Sequence, residues 1–577
     1  MEETTRGIDV LVIGGGLAGA FAAIKAREAG AARVVQVDKA YAGKSGCSAF
    51  AAGVIHPFFP DEDDYDAVFK EAVEKSNYLC DQERLADHLS DFVHRVREMD
   101  GFGVKFEKGS DGKLERQAGR GTTPVMMFHG GFQMMGAMRQ AAVAAGVEVV
   151  DRVMITDLLT RDNRVVGAVG FNTLTGAFHV FLARATVMAT GRTWLKGRRP
   201  GQRNLSGDGI AAAYRAGAVL TGFDLGSPNQ GPALYDIGPG NNMYMGSGAI
   251  LANARGESFI ERYDPVLKGR TELSVLATAC AIEARQGRTP LHLDMTHISP
   301  EKVQRMKRVL PLPMMMYERA GVVQGDRFVK RIEWVTEGPS CAGGLKVNRC
   351  YETSLSGLFA CGDAMSRAGP SGQNALAGAS TSGARAGKHA AEYAREAPEP
   401  KAESDQIQAF RDYAFQPLQR RDGIEPDTVL LSLQETLMPY DVLLLRHQSR
   451  MIQALRRVEE MWNEQVPRLC AYDFHYLRMA LETRNMVLTA MFLLKSALAR
   501  EESREMLRED YPDRDNKDWV RWVTLKREGE EVKVGTEAVA LERCRIKPEP
   551  ERSLHPLWEM VKRDGQIRIE NGQVAWV

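Results

Sequence analysis

The sequence predicts an α/β protein built on a parallel sheet, and three observations near the N-terminus predict it. The first is "IDVLVI" (8–13), a branched apolar run of the kind that forms a strand buried on both faces. The second is the turn Gly14-Gly15-Gly16-Leu17-Ala18-Gly19, which opens the alanine-rich helical stretch "LAGAFAAIKAREAG". The third is another apolar run, "ARVVQVDKA", in which Asp38 stands 19 residues after Gly19. Strand, glycine turn, helix, strand and acid together give a G-x-G-x-x-G motif its meaning as a Rossmann-type dinucleotide site. The glycines let backbone N–H groups approach a diphosphate, and the helix N-terminus favours its negative charge. The Asp38 carboxylate is placed to accept hydrogen bonds from ribose hydroxyls.

At 577 residues the chain is long enough for three or four domains. Its 44% hydrophobic and 26% charged content is that of a globular protein. Lys+Arg and Asp+Glu balance at 75 each, so no net field draws the chain to nucleic acid or anionic lipid. No apolar run approaches the ~20 residues of a bilayer span. The start "MEETTRGIDV" lacks the basic and apolar segments of an export signal, which leads to the expectation of a cytoplasmic protein. The eight cysteines are scattered without a C-x-x-C pair. No disulfide framework or cluster-binding spacing is expected, so any iron–sulfur centre in the reaction belongs to another subunit.

Which dinucleotide the turn holds follows from what comes next. No regular alternation of strands and helices continues the domain. A small-residue loop follows instead, "AYAGKSGCSAFAAGVIH" (40–56), where backbone can press against a large planar ligand. Far downstream, "LSGLFACGDA" (355–364) reads as strand, tight turn, acid and helix, placing Asp363 to meet a ribityl chain, with a helix N-cap as its alternative role. One dinucleotide entry plus a distant returning strand points to FAD. The expected cofactor residues here are Gly14, Gly15, Gly16, Leu17, Ala18, Gly19, Asp38, Lys39, Lys44, Ser45, Gly46, Gly53 and Asp363.

Further segments carry a family resemblance. "VMATGR" (187–192) looks like a second glycine turn near FAD and adds Thr190 and Gly191. "NLSGDGIAAAYRAGA" (204–218) puts Asp208 in a flavin-contacting place, and "SGQNALAGAST" adds Ser380 and Thr381. "ILANARGESFIERYDP", "PLHLDMTHIS" and "EESREMLREDYPDRDNKDW" complete the series in order. With these the chain resembles the flavoprotein subunits of succinate dehydrogenase and fumarate reductase, a superfamily that includes L-aspartate oxidase and the adenylylsulfate reductase alpha subunit. The resemblance implies an FAD-binding domain split in sequence (1–225 and 335–395), an inserted α+β capping domain (226–334), a C-terminal helical domain (396–515) and an extension with short strands (516–577). The periodic "MVLTAMFLLKSALAREESREML" supports the helical domain independently, and "AREAPEPKAESDQ" reads as the linker into it.

The substrate site departs from the family. Gly46 stands where membrane-bound members carry the histidine bonded to flavin, so non-covalent FAD is expected. Asn229, Pro339 and Ala375 stand where the resemblance calls for two histidines and an arginine that bind a C4 dicarboxylate. A carboxylate buried without cationic partners costs several kcal/mol, so succinate, fumarate and aspartate are not the expected substrates. Arg270, in "YDPVLKGRTELS", falls on the family's proton-shuttling arginine; Thr271 replaces the usual aspartate, and Glu272 is the candidate to extend the proton path. Asn229, Asn241 and Gln373 are the candidate substrate residues. His129 is a candidate proton donor, and "PLPMMMYERAG" is a methionine run suited to packing or to an adaptable cavity.

The resemblance therefore implies an FAD-dependent oxidoreductase that moves hydride between flavin N5 and a small organic substrate, working with an iron–sulfur electron-transfer subunit. The alternatives are an enzyme like the adenylylsulfate reductase alpha subunit, or a flavin relay subunit without a substrate of its own. No metal site is expected.

Overall fold

In the computed structural model of the chain, the N-terminal apolar run lies inside the main sheet. The structure describes residues 2–56, 58–118, 124–197, 200–226, 229–233, 240–265, 267–337, 342–367, 374–511, 517–548, 567–570 and 573–576. Strand β1 (Glu2–Ile13) leads through the glycine turn into α1 (Leu17–Glu28) and returns as β2 (Val34–Asp38). After a mainly helical stretch the sheet resumes with β3 (Glu148–Asp151), β4 (Val153–Arg161), β5 (Arg164–Asn172) and β6 (Phe178–Met188). The strand order is β3-β2-β1-β6-β5-β4. β1, β2, β3 and β6 run parallel, with Ile13 opposite both Val37 and Met188. β4, β5 and β6 are antiparallel neighbours. Val10, Leu11 and Val12 of β1 are fully buried, as a strand covered on both faces requires.

The chain then leaves this sheet. After the short strand β7 (Leu220–Thr221) it builds the cap from β8 (Asn229–Pro232), α2 (Asn241–Gly246), β9 (Ile250–Ala252), β10 (Leu291–Asp294), α3 (Pro300–Val309) and β11 (Ile332–Glu337). The cap sheet is antiparallel in the order β8-β11-β10-β9. It has its own apolar core around Tyr244, Phe259, Leu276, Tyr317 and Trp334. The chain returns through β12 (Gly344–Leu345) to β13 (Leu358–Ala360), which pairs parallel with the end of β6, Ala360 opposite Met188. The fold is thus a Rossmann-type domain split in sequence around an inserted cap.

Helix α4 (Ala379–Glu396) closes the split domain against α1. A Cβ at Gly383 would lie 2.3 Å from the Ala18 carbonyl oxygen, and one at Gly387 would lie 2.1 Å from that of Ala22. The two helices therefore touch backbone to backbone. The helical region is dominated by α5 (Phe474–Ala499), whose N-cap Asp473 accepts the Tyr476 N–H at 2.8 Å. Among the described residues no helix is long and apolar enough to cross a membrane. β14 (Arg521–Glu528) and β15 (Glu531–Ala538) form a hairpin whose first strand pairs with β7, giving the order β12-β7-β14-β15. Part of the expected C-terminal extension is therefore built into a sheet with residues 220–221 and 344–345.

Helix α5 is tied to the split domain by a buried ion cluster. Glu482 is fully buried, accepts from Lys39 Nζ at 2.8 Å and from Arg478 at 2.9 Å, and also pairs with Lys196. Lys39 Nζ reaches Asp208 at 2.7 Å as well, and the second Asp208 oxygen accepts from Asn485 Nδ2 at 2.9 Å. Burial pushes the Glu482 carboxyl upward, but Lys39, Lys196 and Arg478 outweigh it and hold the group well below the usual glutamate range. Burial likewise opposes the Lys39 charge, and Asp208 and Glu482 outweigh that, raising its pKa.

Two outcomes are expected. Gly387→Ala forces α1 and α4 apart and should cost about 1–3 kcal/mol, read as a lowered thermal midpoint by circular dichroism. Glu482→Gln leaves buried cations without their carboxylate and should cost about 3–5 kcal/mol at neutral pH. A carboxylate depressed in the folded state stabilises above its unfolded pKa and loses that contribution as pH falls. The gap between wild type and Glu482→Gln should therefore narrow below about pH 4, and chemical denaturation across pH checks it.

Candidate functional site

A cavity of about 410 Å³ opens beside the glycine turn, within the usual range for small-molecule and cofactor sites. Its floor is the turn itself. Gly14, Gly15, Gly16, Leu17 and Ala18 all line it. Gly14 has φ +118°, and a Cβ there would lie 2.3 Å from the Ala189 carbonyl oxygen. A Cβ at Gly15 would meet Ala42 and the Asp38 carboxylate. The turn is thus held closed by contacts that only glycine permits. Asp38 braces it, accepting from the N–H groups of Gly15 and Ala40, each at 2.8 Å. The Leu17 N–H at the start of α1 donates to Ser48 Oγ at 3.2 Å.

The walls come from separate parts of the chain. The loop after β2 brings Lys39, Ser45 and Gly46; the end of β6 brings Thr190 and Gly191; and Asp208 and Asp363 complete the set. Lys39 and Asp208 belong to the ion cluster under α5, which fixes this end of the cavity. Asp363, also in the lining, is held by Arg192, with Nε and Nη2 donating at 2.9 and 2.7 Å. Asn241 and Asn242 of α2 reach the cavity from the cap, joined by Leu273. The cap is clasped over it by α3: Arg308 pairs with Glu107 at 3.0 Å and Arg305 with Glu115 at 2.8 Å.

Five positions expected at the cofactor do not line the cavity. Gly19 supports the turn from behind, where a Cβ would lie 2.0 Å from the Gly14 carbonyl oxygen. Lys44 is exposed and lies over the Tyr41 ring at 5.1 Å. Gly53 is spent on the cap junction, its N–H donating to the Val309 carbonyl at 3.2 Å. Ser380 and Thr381 are buried in α4, and both hydroxyls bond back to the Ala377 carbonyl, at 2.8 and 3.2 Å.

The catalytic and substrate candidates divide in the same way. Arg270 ends the 3-10 turn Lys268–Arg270, outside the described lining but three residues before Leu273, which lines it. The turn is fixed by buried Asp264, which accepts from the Leu267 N–H at 2.8 Å and from Thr271 Oγ1 at 2.6 Å. Glu272 lies 3.5 Å from Lys75 as an ion pair. Asn229 is on β8, Pro339 and Gln373 lie outside the described residues, and Ala375 lines the cavity. His129 is bonded at 2.9 Å to Glu107 in the clasp and is not a cavity residue. Met314, Met315 and Met316 sit on a cap helix, and none lines the cavity.

The residue reading missed Arg192, Ser48 and Gln202. An arginine directly after the glycine turn in "ATGR" was the available signal for the first; nothing in the local sequence marked the other two. Cys47, beside Gly46, is held as a thiol: burial and then nearby Asp363 push its pKa up to about 12. Gly46 has φ +73°, and a Cβ added there would meet nothing within 4 Å, so the space that a larger family side chain would take is open here.

These residues fit FAD. Thr190 Oγ1 and Gln202 Oε1 are buried polar atoms of the lining without a hydrogen-bond partner among the described residues, a pattern that a polar ligand resolves. The helix N-terminus suits a diphosphate, and Asp38 retains acceptor capacity for ribose hydroxyls.

Comparison with known proteins agrees. A family described as FAD binding domain matches residues 9–381, and one described as fumarate reductase flavoprotein C-term matches 431–553. The chain is 29% identical to a subunit of the fumarate reductase (CoM/CoB) of Methanothermobacter marburgensis, over 93% of this chain and 100% of that one. Escherichia coli quinol fumarate reductase FrdA superposes with a TM-score of 0.83 at 21% identity, covering 95% of this chain and 98% of that one. Adenylylsulfate reductase of Archaeoglobus fulgidus gives 0.79 at 21% identity, covering 93% and 96%. The last two show likeness of fold. The glycine turn, the returning strand, the cap and these matches together place the chain in the FAD-binding family of succinate dehydrogenase and fumarate reductase flavoprotein subunits, as an FAD-dependent oxidoreductase.

Proposed function

We propose that this oxidoreductase acts on an organic substrate other than a C4 dicarboxylate, at a carbon–carbon bond next to a carbonyl or thioester, and exchanges electrons with an iron–sulfur partner. The observation that carries the reading is the charge of the cavity. Its described lining carries Asp38, Lys39, Arg192, Asp208 and Asp363 as charged groups, with His56 as its one histidine. Lys39 is engaged by Asp208 and Glu482, and Arg192 by Asp363, so each of these cations already has a carboxylate. A doubly charged substrate would give up hydration without cationic compensation from them. The positions where the family carries its carboxylate-binding side chains are Asn229, Pro339 and Ala375.

Bound FAD supplies the two-electron redox chemistry. The chain's residues seat it, exclude water and handle the proton. The glycine turn and Asp38 orient the adenosine and diphosphate half. Asp208 and Asp363 fix the remainder, and the cap, clasped by Arg305 and Arg308, excludes water from the reacting face. Arg270, on its Asp264-braced turn beside α2, is the proposed proton donor to the substrate carbon. The electron partner is inferred from scattered cysteines without cluster spacing and from relatives named as subunits.

Two measurements test this. Acid precipitation of the yellow protein should release all its flavin into the supernatant, because Gly46 offers no side chain for attachment; flavin in the pellet contradicts it. Arg270→Ala should leave FAD content unchanged and slow re-oxidation of the reduced protein by roughly 100-fold or more. The assay uses the best acceptor from a panel of alkenes conjugated to a carbonyl or thioester. A change within a few-fold removes Arg270 from the proton path.

A further inference from the structure

Asn241 is the cap residue whose chemistry speaks most directly about the substrate. It is 8% exposed, lies at the start of α2 and lines the cavity. Its Nδ2 donates to the main-chain carbonyl of Gln230 at 3.3 Å. That carbonyl belongs to β8, which is locked in register with β11, Gln230 opposite Thr336. A carbonyl accepts only, so this bond fixes which end of the amide faces which way: turned over, the side chain would set oxygen against oxygen. The Oδ1 is left buried at the cavity without a hydrogen-bond partner among the described residues. An acceptor in that position is satisfied by a donor on whatever enters.

The rest of the described lining speaks against a charged group less directly but in the same sense, its Asp208 and Asp363 carboxylates being paired with Lys39 and Arg192. The cap contributes Asn242 and Leu273 to the lining, and residues 375–377 contribute Ala375, Leu376 and Ala377, none of them ionisable; His56 is the one histidine of the described lining. The cations of the lining are engaged by Asp208, Glu482 and Asp363. We infer that Asn241 is a specificity-determining residue that accepts a hydrogen bond from a neutral donor group of the substrate, an amide N–H or a hydroxyl. The inference rests on the proposed function, since it names the substrate class of that same site. A site built to pair with a donor rejects an analogue that lacks one, because its own polar atom is then left unpaired.

Fumarate and fumaramide have the same carbon skeleton and differ in this feature: the first carries two carboxylates, the second two neutral amides. Titrating the FAD-loaded protein with each, and reading the perturbation of the flavin absorbance spectrum, tests the assignment. Fumaramide is expected to bind at least about ten-fold more tightly than fumarate. Asn241→Leu is expected to weaken fumaramide several-fold with FAD content unchanged, and to leave the weak fumarate binding where it was. Fumarate binding as tightly as fumaramide, or no perturbation by either in protein that holds FAD and is reduced by dithionite, overturns the inference alone. Protein that takes up no FAD overturns the reading beneath it. The wild-type comparison stands even if the variant fails to fold.

Discussion

The site depends on one steric constraint, the approach of the β1–α1 turn to the backbone of the β6 end. At Gly14 the distance from a hypothetical Cβ to the Ala189 oxygen is 2.3 Å, and at Gly19 the corresponding distance to the Gly14 oxygen is 2.0 Å. Any side chain at these positions would spread β1 from β6 or lift α1 from the sheet. With hydrogen there, Thr190 and the start of α1 face the same space. The binding of a diphosphate by backbone N–H groups needs that proximity, and the alternation of strands and glycines supplies it.

A second constraint acts from the far end of the chain. Lys39, next to Asp38, would be a mobile cation if only the sheet held it. Glu482, 443 residues on, removes that freedom and ties the helical region to the cofactor cavity. Because both groups are buried, the tie specifies geometry more than it adds stability: replacing one partner is costly, while the intact cluster roughly offsets its own desolvation. Arg192 and Asp363 pair in the same manner, across 171 residues. Lys39, Asp208, Arg192 and Asp363 of the cavity are therefore engaged in positioning.

The parts legible in the sequence were those written in local pattern. The branched run of β1, the glycines and the acid at the end of β2 follow from spacing within forty residues, and the returning β13 was readable as strand, turn and acid. What spacing could not convey was which polar side chains spend themselves elsewhere. Ser380 and Thr381 turn their hydroxyls back onto their own helix, and Glu272 is drawn to Lys75. Ser48 acts through a bond to Leu17 that crosses a loop of 31 residues, and β14 joins β7 across some three hundred. Such pairings are decided by tertiary packing, and no local signal announces them. The fold was thus clearer in advance than the inner surface of the cavity.

The most direct measurement is titration of FAD into the apoprotein, followed by quenching of flavin fluorescence, for the wild type and for Gly14→Ala. The account predicts saturable, stoichiometric uptake by the wild type at micromolar concentration, and loss of that uptake in a Gly14→Ala protein whose circular dichroism shows it folded. Equal uptake by both proteins, or none by a well-folded wild type, would contradict it.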